Sequence, residues 1–174
     1  EPLQGVTFNG TKTFYDESIS EYKTENITLD STNTDGYTNI LTNEINSSSL
    51  EVDKYEITEI DLGTNTGYTK LNSNIFINVY KTINDNDEFL VEKYSVKCGS
   101  ASIDLNSSNL RDSITVEENG VSYIITAEVN EIDGLPTLTV TVTNAPDNKI
   151  PLQIRKVSKE DENTVIQGTE YTIY

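Results

Sequence analysis

The sequence predicts an all-β sandwich, and three observations carry that expectation. Apolar residues alternate with period 2 in run after run, and no window sustains the 3.6-residue period of a helix. Asn, Ser and Thr together make up about a third of the chain and lie between β-branched runs, which suits strands and Asx or Ser turns. Turn chemistry separates the runs at short, regular spacing, as in sandwich folds. At 174 residues, the chain has room for one domain with a proper core and something left over.

In chain order, the expected strands are residues 6–8, 37–41, 54–60, 75–81, 89–96, 113–117, 121–129 and 138–143. Asp35-Gly36 supplies positive φ before the second. Asn84-Asp85-Asn86-Asp87-Glu88 separates the fourth and fifth, and it reads as a solvated hairpin turn. Oxygen ligands at alternate positions would suit calcium, but the Gly and spaced Glu of a dedicated loop are missing. Residues 105–110 fit a brief helical turn. Asn119-Gly120 sits between two alternating runs as a tight hairpin, and Asp133-Gly134-Leu135-Pro136 turns into the last strand.

Composition excludes several function classes. The formal charge of 12 − 29 = −17 opposes binding to nucleic acid or to an anionic membrane surface. There is no His, hence neither the commonest general base nor the commonest metal ligand. Cys98 is the only cysteine, so neither an intrachain disulfide nor a cysteine zinc site can form, and without a His partner it reads as a small half-buried residue. No stretch approaches the roughly 18 apolar residues of a membrane span. The sequons Asn26-Ile27-Thr28 and Asn46-Ser47-Ser48 follow from the Asn/Ser/Thr bias. Glu117-Glu118 and Asp161-Glu162 read as solvated carboxylates. No metal or cofactor is expected.

Three strands carry a polar residue where the alternation calls for an apolar one. Leu138, Val140 and Val142 are followed in phase by Asn144; Tyr55 and Ile57 by Glu59; Leu152 and Ile154 by Lys156. Burying Asn, Glu or Lys is costly unless each is paired. Complementary chemistry at three such positions suggests a Lys–Glu–Asn site. The plainer reading is that Glu59 and Asn144 are ordinary buried polar groups satisfied by backbone or water. The phase also predicts Glu59 and Asn144 buried, with Thr139, Thr141 and Thr143 exposed.

One internal repeat organises the chain. Pro2-Leu3-Gln4-Gly5-Val6-Thr7-Phe8 aligns with Val165-Ile166-Gln167-Gly168-Thr169-Glu170-Tyr171 at an offset of 167 − 4 = 163. Residues 1–147 are therefore expected to form one repeat lacking its first strand, and 148–174 to begin the next.

Five segments in order resemble Cna-B/SpaA-type prealbumin-like repeats of Gram-positive surface proteins and pilins. Glu1-Pro2-Leu3-Gln4-Gly5-Val6-Thr7-Phe8 resembles their PLxGaxF strand, and Thr34-Asp35-Gly36-Tyr37 their TDxxGy turn. Lys54 to Glu59 followed by Gly67-Tyr68 resembles YxlxEtxaPxGY, without the Pro before Gly67. Val140 to Asn144 resembles the closing VtVtN, and Leu152 to Asp161 the opening strand of a next copy. The resemblance implies a prealbumin-like (Ig-like) sandwich, an extracellular location on the cell surface or wall, and a structural stalk or adhesin role without enzymatic activity. It also implies an intramolecular Lys–Asn isopeptide bond, with Glu59 as proton shuttle, Asn144 as acceptor amide and Lys156 as the amine of the following repeat. Burial would lower the Lys pKa and raise that of Glu59, as that chemistry needs.

Neighbouring repeats are the expected partners, and the host or matrix ligand is unnamed. Residues 150–174 are expected either to pair with another copy by strand exchange or to be poorly ordered. Residues 81–121 match no repeat motif, and the alternative reading makes them the binding surface of a ligand-binding adhesin, with Phe89 and Tyr94 exposed. An extracellular hydrolase is the remote alternative and would need a carboxylate pair in a cleft. Val79-Tyr80-Lys81 reads as plain strand.

Overall fold

The computed structural model describes residues 1–41 and 49–146. The expected second-repeat segment, with Lys156 and Asp161-Glu162, lies outside the described residues, as does Asn46-Ser47-Ser48. The described residues contain nine strands: β1 (Thr7–Asp16), β2 (Glu21–Ile27), β3 (Asp53–Asp61), β4 (Ile75–Ile83), β5 (Phe89–Cys98), β6 (Ala101–Leu105), β7 (Arg111–Glu118), β8 (Val121–Ile132) and β9 (Leu135–Thr143). They form two antiparallel sheets, ordered β2-β1-β3-β4-β5-β6 and β7-β8-β9.

The sheets face each other across one apolar core. Ile75 of β4, Val96 and Cys98 of β5, and Ile103 and Leu105 of β6 meet Val116 of β7 and Tyr123, Ile125 and Ala127 of β8, all essentially buried. Each set shares one parity along its strand, so the pleat alone directs it inward. β1 and β2 contribute none of this cluster; Ile57 and Ile77 pack at its margin, as do Leu138, Val140 and Val142 of β9.

Turn residues set the register. Asn119 and Gly120 have φ of 51° and 77°, and Asp133 and Gly134 have 52° and 78°. Two consecutive positive-φ residues match the right-handed twist of the flanking strands, so each pair closes a two-residue hairpin, with Glu118 opposite Val121 and Ile132 opposite Leu135. Leu135 and Pro136, expected in the turn, are strand residues, and Pro136 sits on edge strand β9, where a missing N–H is tolerated. Asn84 to Glu88 is the hairpin turn expected: the Asn84 side-chain oxygen accepts the N–H groups of Asn86 and Glu88.

Three expectations need correction. Residues 37–41 are not a strand, because side-chain amides hold this backbone instead of a ladder. Asn33 Oδ1 accepts the N–H groups of Asp35 and Tyr37, while Asn39 accepts from Asp30 N–H and donates to the Thr28 carbonyl. Residues 105–110 are not helical: β6 ends at Leu105, and Asn106 and Asn109 exchange backbone hydrogen bonds in a tight turn. Residues 81–121 form the end of β4 and all of β5, β6 and β7, which supply half of the core. Phe89 and Tyr94 are half-buried, and Tyr94 packs on the core, so an exposed aromatic pair does not form.

Candidate functional site

Glu59 and Asn144, 85 residues apart in sequence, are in direct contact. Asn144 Nδ2 donates to Glu59 Oε2 at 2.9 Å. Glu59 reaches the interior because the pleat of β3 gives it the same face as Asp53, Tyr55 and Ile57, and it is only 3% exposed. Asn144 follows Val142 in the inward phase, one residue past the end of β9, and is half-buried. Thr141 and Thr143 are exposed as expected. Thr139, expected exposed, is half-buried opposite Glu128 of β8.

Both side chains grip the segment 69–71. Leu71 N–H donates to Glu59 Oε2 at 2.7 Å, and Asn144 Nδ2 also donates to the Thr69 carbonyl at 3.1 Å. Thr69 N–H donates to the Ala145 carbonyl, and the Tyr123 hydroxyl donates to the Lys70 carbonyl. Glu118 accepts the N–H groups of Asn72 and Ser73, so it anchors this loop across the sandwich and is not the free solvated carboxylate expected. Desolvation opposes its ionisation, but the hydrogen bonds from Ser73 and Asn72 outweigh that and lower its pKa. Its neighbour Glu117 is exposed and bonds the Ser122 hydroxyl.

Glu59 uses only one of its two oxygens. Oε2 takes both bonds, while Oε1 is buried with no hydrogen-bond partner among the described residues. Burial pushes the Glu59 carboxyl above the ordinary glutamate range; the Leu71 N–H, the Asn144 amide and the charge of Lys70 only partly offset it. A buried carboxyl held toward its neutral form, against a primary amide, can pass protons to and from that amide.

A second buried polar pair went unread in the sequence. Lys81 Nζ lies 3.4 Å from Asp53 Oδ1, with side chains 4% and 5% exposed. Lys81 follows Ile75, Ile77 and Val79 in phase, and Asp53 precedes Tyr55, Ile57 and Glu59. The parity that points to Glu59 thus marks both residues, and Val79-Tyr80-Lys81 is strand as expected, with the Lys81 side chain turned inward. Six residues along β3, about 20 Å at strand rise, separate this pair from Glu59. Cys98 is buried and burial raises its thiol pKa, as an inert core residue would show. No group of metal-ligating side chains occurs among the described residues. No family model, curated protein or solved structure matches the chain.

Proposed function

We propose that the chain is a non-enzymatic structural module of a bacterial cell-surface stalk or adhesin, whose Glu59 and Asn144 belong to a Lys–Asn cross-linking centre. The observation that carries this reading is the buried Glu59–Asn144 hydrogen bond together with the unsatisfied Oε1 beside it. The sequence resemblance supplies the third member, a lysine on a strand next to β9. In the reaction, a neutral lysine Nζ attacks Asn144 Cγ, the new C–N bond forms, the Cγ–Nδ2 bond breaks, and Nδ2 leaves as ammonia. Glu59 faces the leaving nitrogen, so its neutral form suits protonation of that nitrogen, and the amine proton returns to the carboxylate. The product is an amide tying two strands, which resists unfolding and proteolysis as a disulfide does elsewhere.

Support also comes from charge and architecture. An acidic sandwich of two antiparallel sheets suits a spacer outside the cell better than a nucleic-acid or membrane binder. The test is intact mass of a longer chain that includes the strand preceding Glu1. Loss of one ammonia, abolished by Asn144→Ala and by Glu59→Ala, is expected. An unreduced mass in the folded protein refutes the cross-link.

A further inference from the structure

β2 ends the six-stranded sheet, and its side chains from Glu21 to Asn26 are exposed on both faces. It is nevertheless held as a strand. Thr24 and Thr13 hydroxyls bond at 2.8 Å, and the Tyr22 ring meets that of Tyr15 edge-on at 5.5 Å. The Tyr22 hydroxyl donates to Glu51 at 2.7 Å. Such an edge offers a fixed row of backbone donors and acceptors. Its charges alternate: Glu21, Lys23 and Glu25 share one face, and Tyr22, Thr24 and Asn26 the other.

We infer that β2 pairs antiparallel with β2 of a second copy about a two-fold axis at Thr24, joining the two six-stranded sheets. Thr24 is the middle of the 7-residue strand, so every strand residue finds a partner. Lys23 then lies opposite Glu25 of the second copy, and Glu25 opposite its Lys23. Opposite charges set directly across a ladder stabilise it, and like charges oppose it. Other two-fold registers do worse on the same residues. Centred on Lys23, the axis sets Lys23 on Lys23 and Glu21 on Glu25; centred on Glu25, it sets Glu25 on Glu25. Centred on Tyr22, it matches Glu21 with Lys23 but leaves Thr24 and everything after it beyond the end of the partner strand.

A lysine on an edge ordinarily discourages strand addition. Here it lies between two glutamates on its own face, a pattern that complements its own copy. Lys23 also lies 3.7 Å from Asp16, but its side chain is 56% exposed and an ammonium has three donors. The formal charge of −17 repels two copies at long range, and salt of about 0.15 M screens that beyond about 8 Å, leaving the contact pairs. An isologous contact uses the same edge of both molecules, so association stops at the dimer. Glu59 and Asn144 take no part, so the pairing is independent of the cross-linking centre.

The test is sedimentation velocity of the full chain in about 0.15 M salt, from about 1 µM to about 200 µM, a span that brackets micromolar affinity. Wild type is expected to pass from monomer to dimer with nothing larger. Lys23→Glu sets a carboxylate opposite Glu25 of the second copy, and Glu25→Lys sets an ammonium opposite its Lys23. Each variant alone is expected to be monomeric, whereas their equimolar mixture restores both pairs and is expected to give a 1:1 dimer. Wild type that stays monomeric or grows beyond a dimer overturns the proposal. So does either single variant dimerising as wild type does, or a mixture that stays monomeric. Hydrogen exchange of wild type needs no variant: amides within residues 21–27 should exchange more slowly at the high concentration, and unchanged exchange there overturns the proposal too.

Discussion

Replacing Glu59 by Ala and by Gln separates the two things this carboxylate does. Glu59→Ala strips the acceptor from Leu71 N–H, on a residue with no exposed surface, and an unsatisfied buried donor costs about 1–3 kcal/mol. Asn144 loses one of its two bonds, but it is half-buried and keeps the Thr69 carbonyl, so that part adds about 0.5–1 kcal/mol. Removing a carboxylate from an apolar site returns part of this, and the net loss is expected to be about 2–3 kcal/mol. For a chain of this size, that lowers Tm by roughly 5–10 °C. Glu59→Gln keeps an acceptor for both donors and carries no charge to desolvate, but sets its amide nitrogen where Oε1 lacks a partner, so at neutral pH it is expected to lie between wild type and Glu59→Ala.

The pH dependence distinguishes the pair further. Burial raises the folded-state pKa of Glu59 above its unfolded value. The folded protein therefore binds this proton more tightly, and the associated stability is full below the ordinary glutamate pKa and lost as pH rises through the raised value. Wild type should thus lose stability relative to Glu59→Gln as pH rises above the ordinary glutamate value of 4.5 toward neutrality. Urea unfolding of the three proteins across that range is the assay. Gln as damaging as Ala, or a Gln-minus-wild-type difference that does not move with pH, refutes the account of Glu59 as a desolvated acceptor.

Three further outcomes can be checked. Lys81→Met is expected to cost about 3–5 kcal/mol by removing the counter-charge of buried Asp53, and Lys81→Met/Asp53→Leu to recover most of it; a double variant as unstable as the single one would contradict the pair. Gly63 has φ of 62°, and a Cβ there would lie 2.7 Å from the Gly5 carbonyl oxygen, so Gly63→Ala should destabilise by about 1–3 kcal/mol in chemical denaturation. Cys98 should react with a thiol reagent only at the rate of global unfolding, and prompt labelling of the native protein would show that its strand opens locally.

Local chemistry was legible in the sequence wherever it acts through neighbours along the chain. Alternation placed β3, β4, β5, β7 and β9, since side-chain parity in a strand is a matter of pleat geometry. Asn119-Gly120 placed a hairpin because only such residues tolerate two positive φ angles in succession. The same parity marked Glu59 and Asn144 as polar residues aimed inward, and it would have marked Asp53 and Lys81 had it been carried through β3 and β4 to their ends. β2 was missed because Glu21-Tyr22-Lys23-Thr24-Glu25-Asn26 is an exposed polar edge strand, with no buried face to impose a pattern.

Pairing in space was decided only by the tertiary structure. That Glu59 meets Asn144 depends on two sheets closing over each other, and no local signal reports the partner of a residue 85 positions away. The unpartnered Oε1 follows from the same closure, because whether a buried oxygen finds a donor depends on every element packed around it. The packing of residues 81–121 was decided this way as well. They match no repeat motif in the sequence, yet long-range pairing of β5 with β4 and of β7 with β8 makes them half of the core. The sequence determined which residues turn inward, because parity is local; which of them touch, and which are left wanting, only the packed sheets decide.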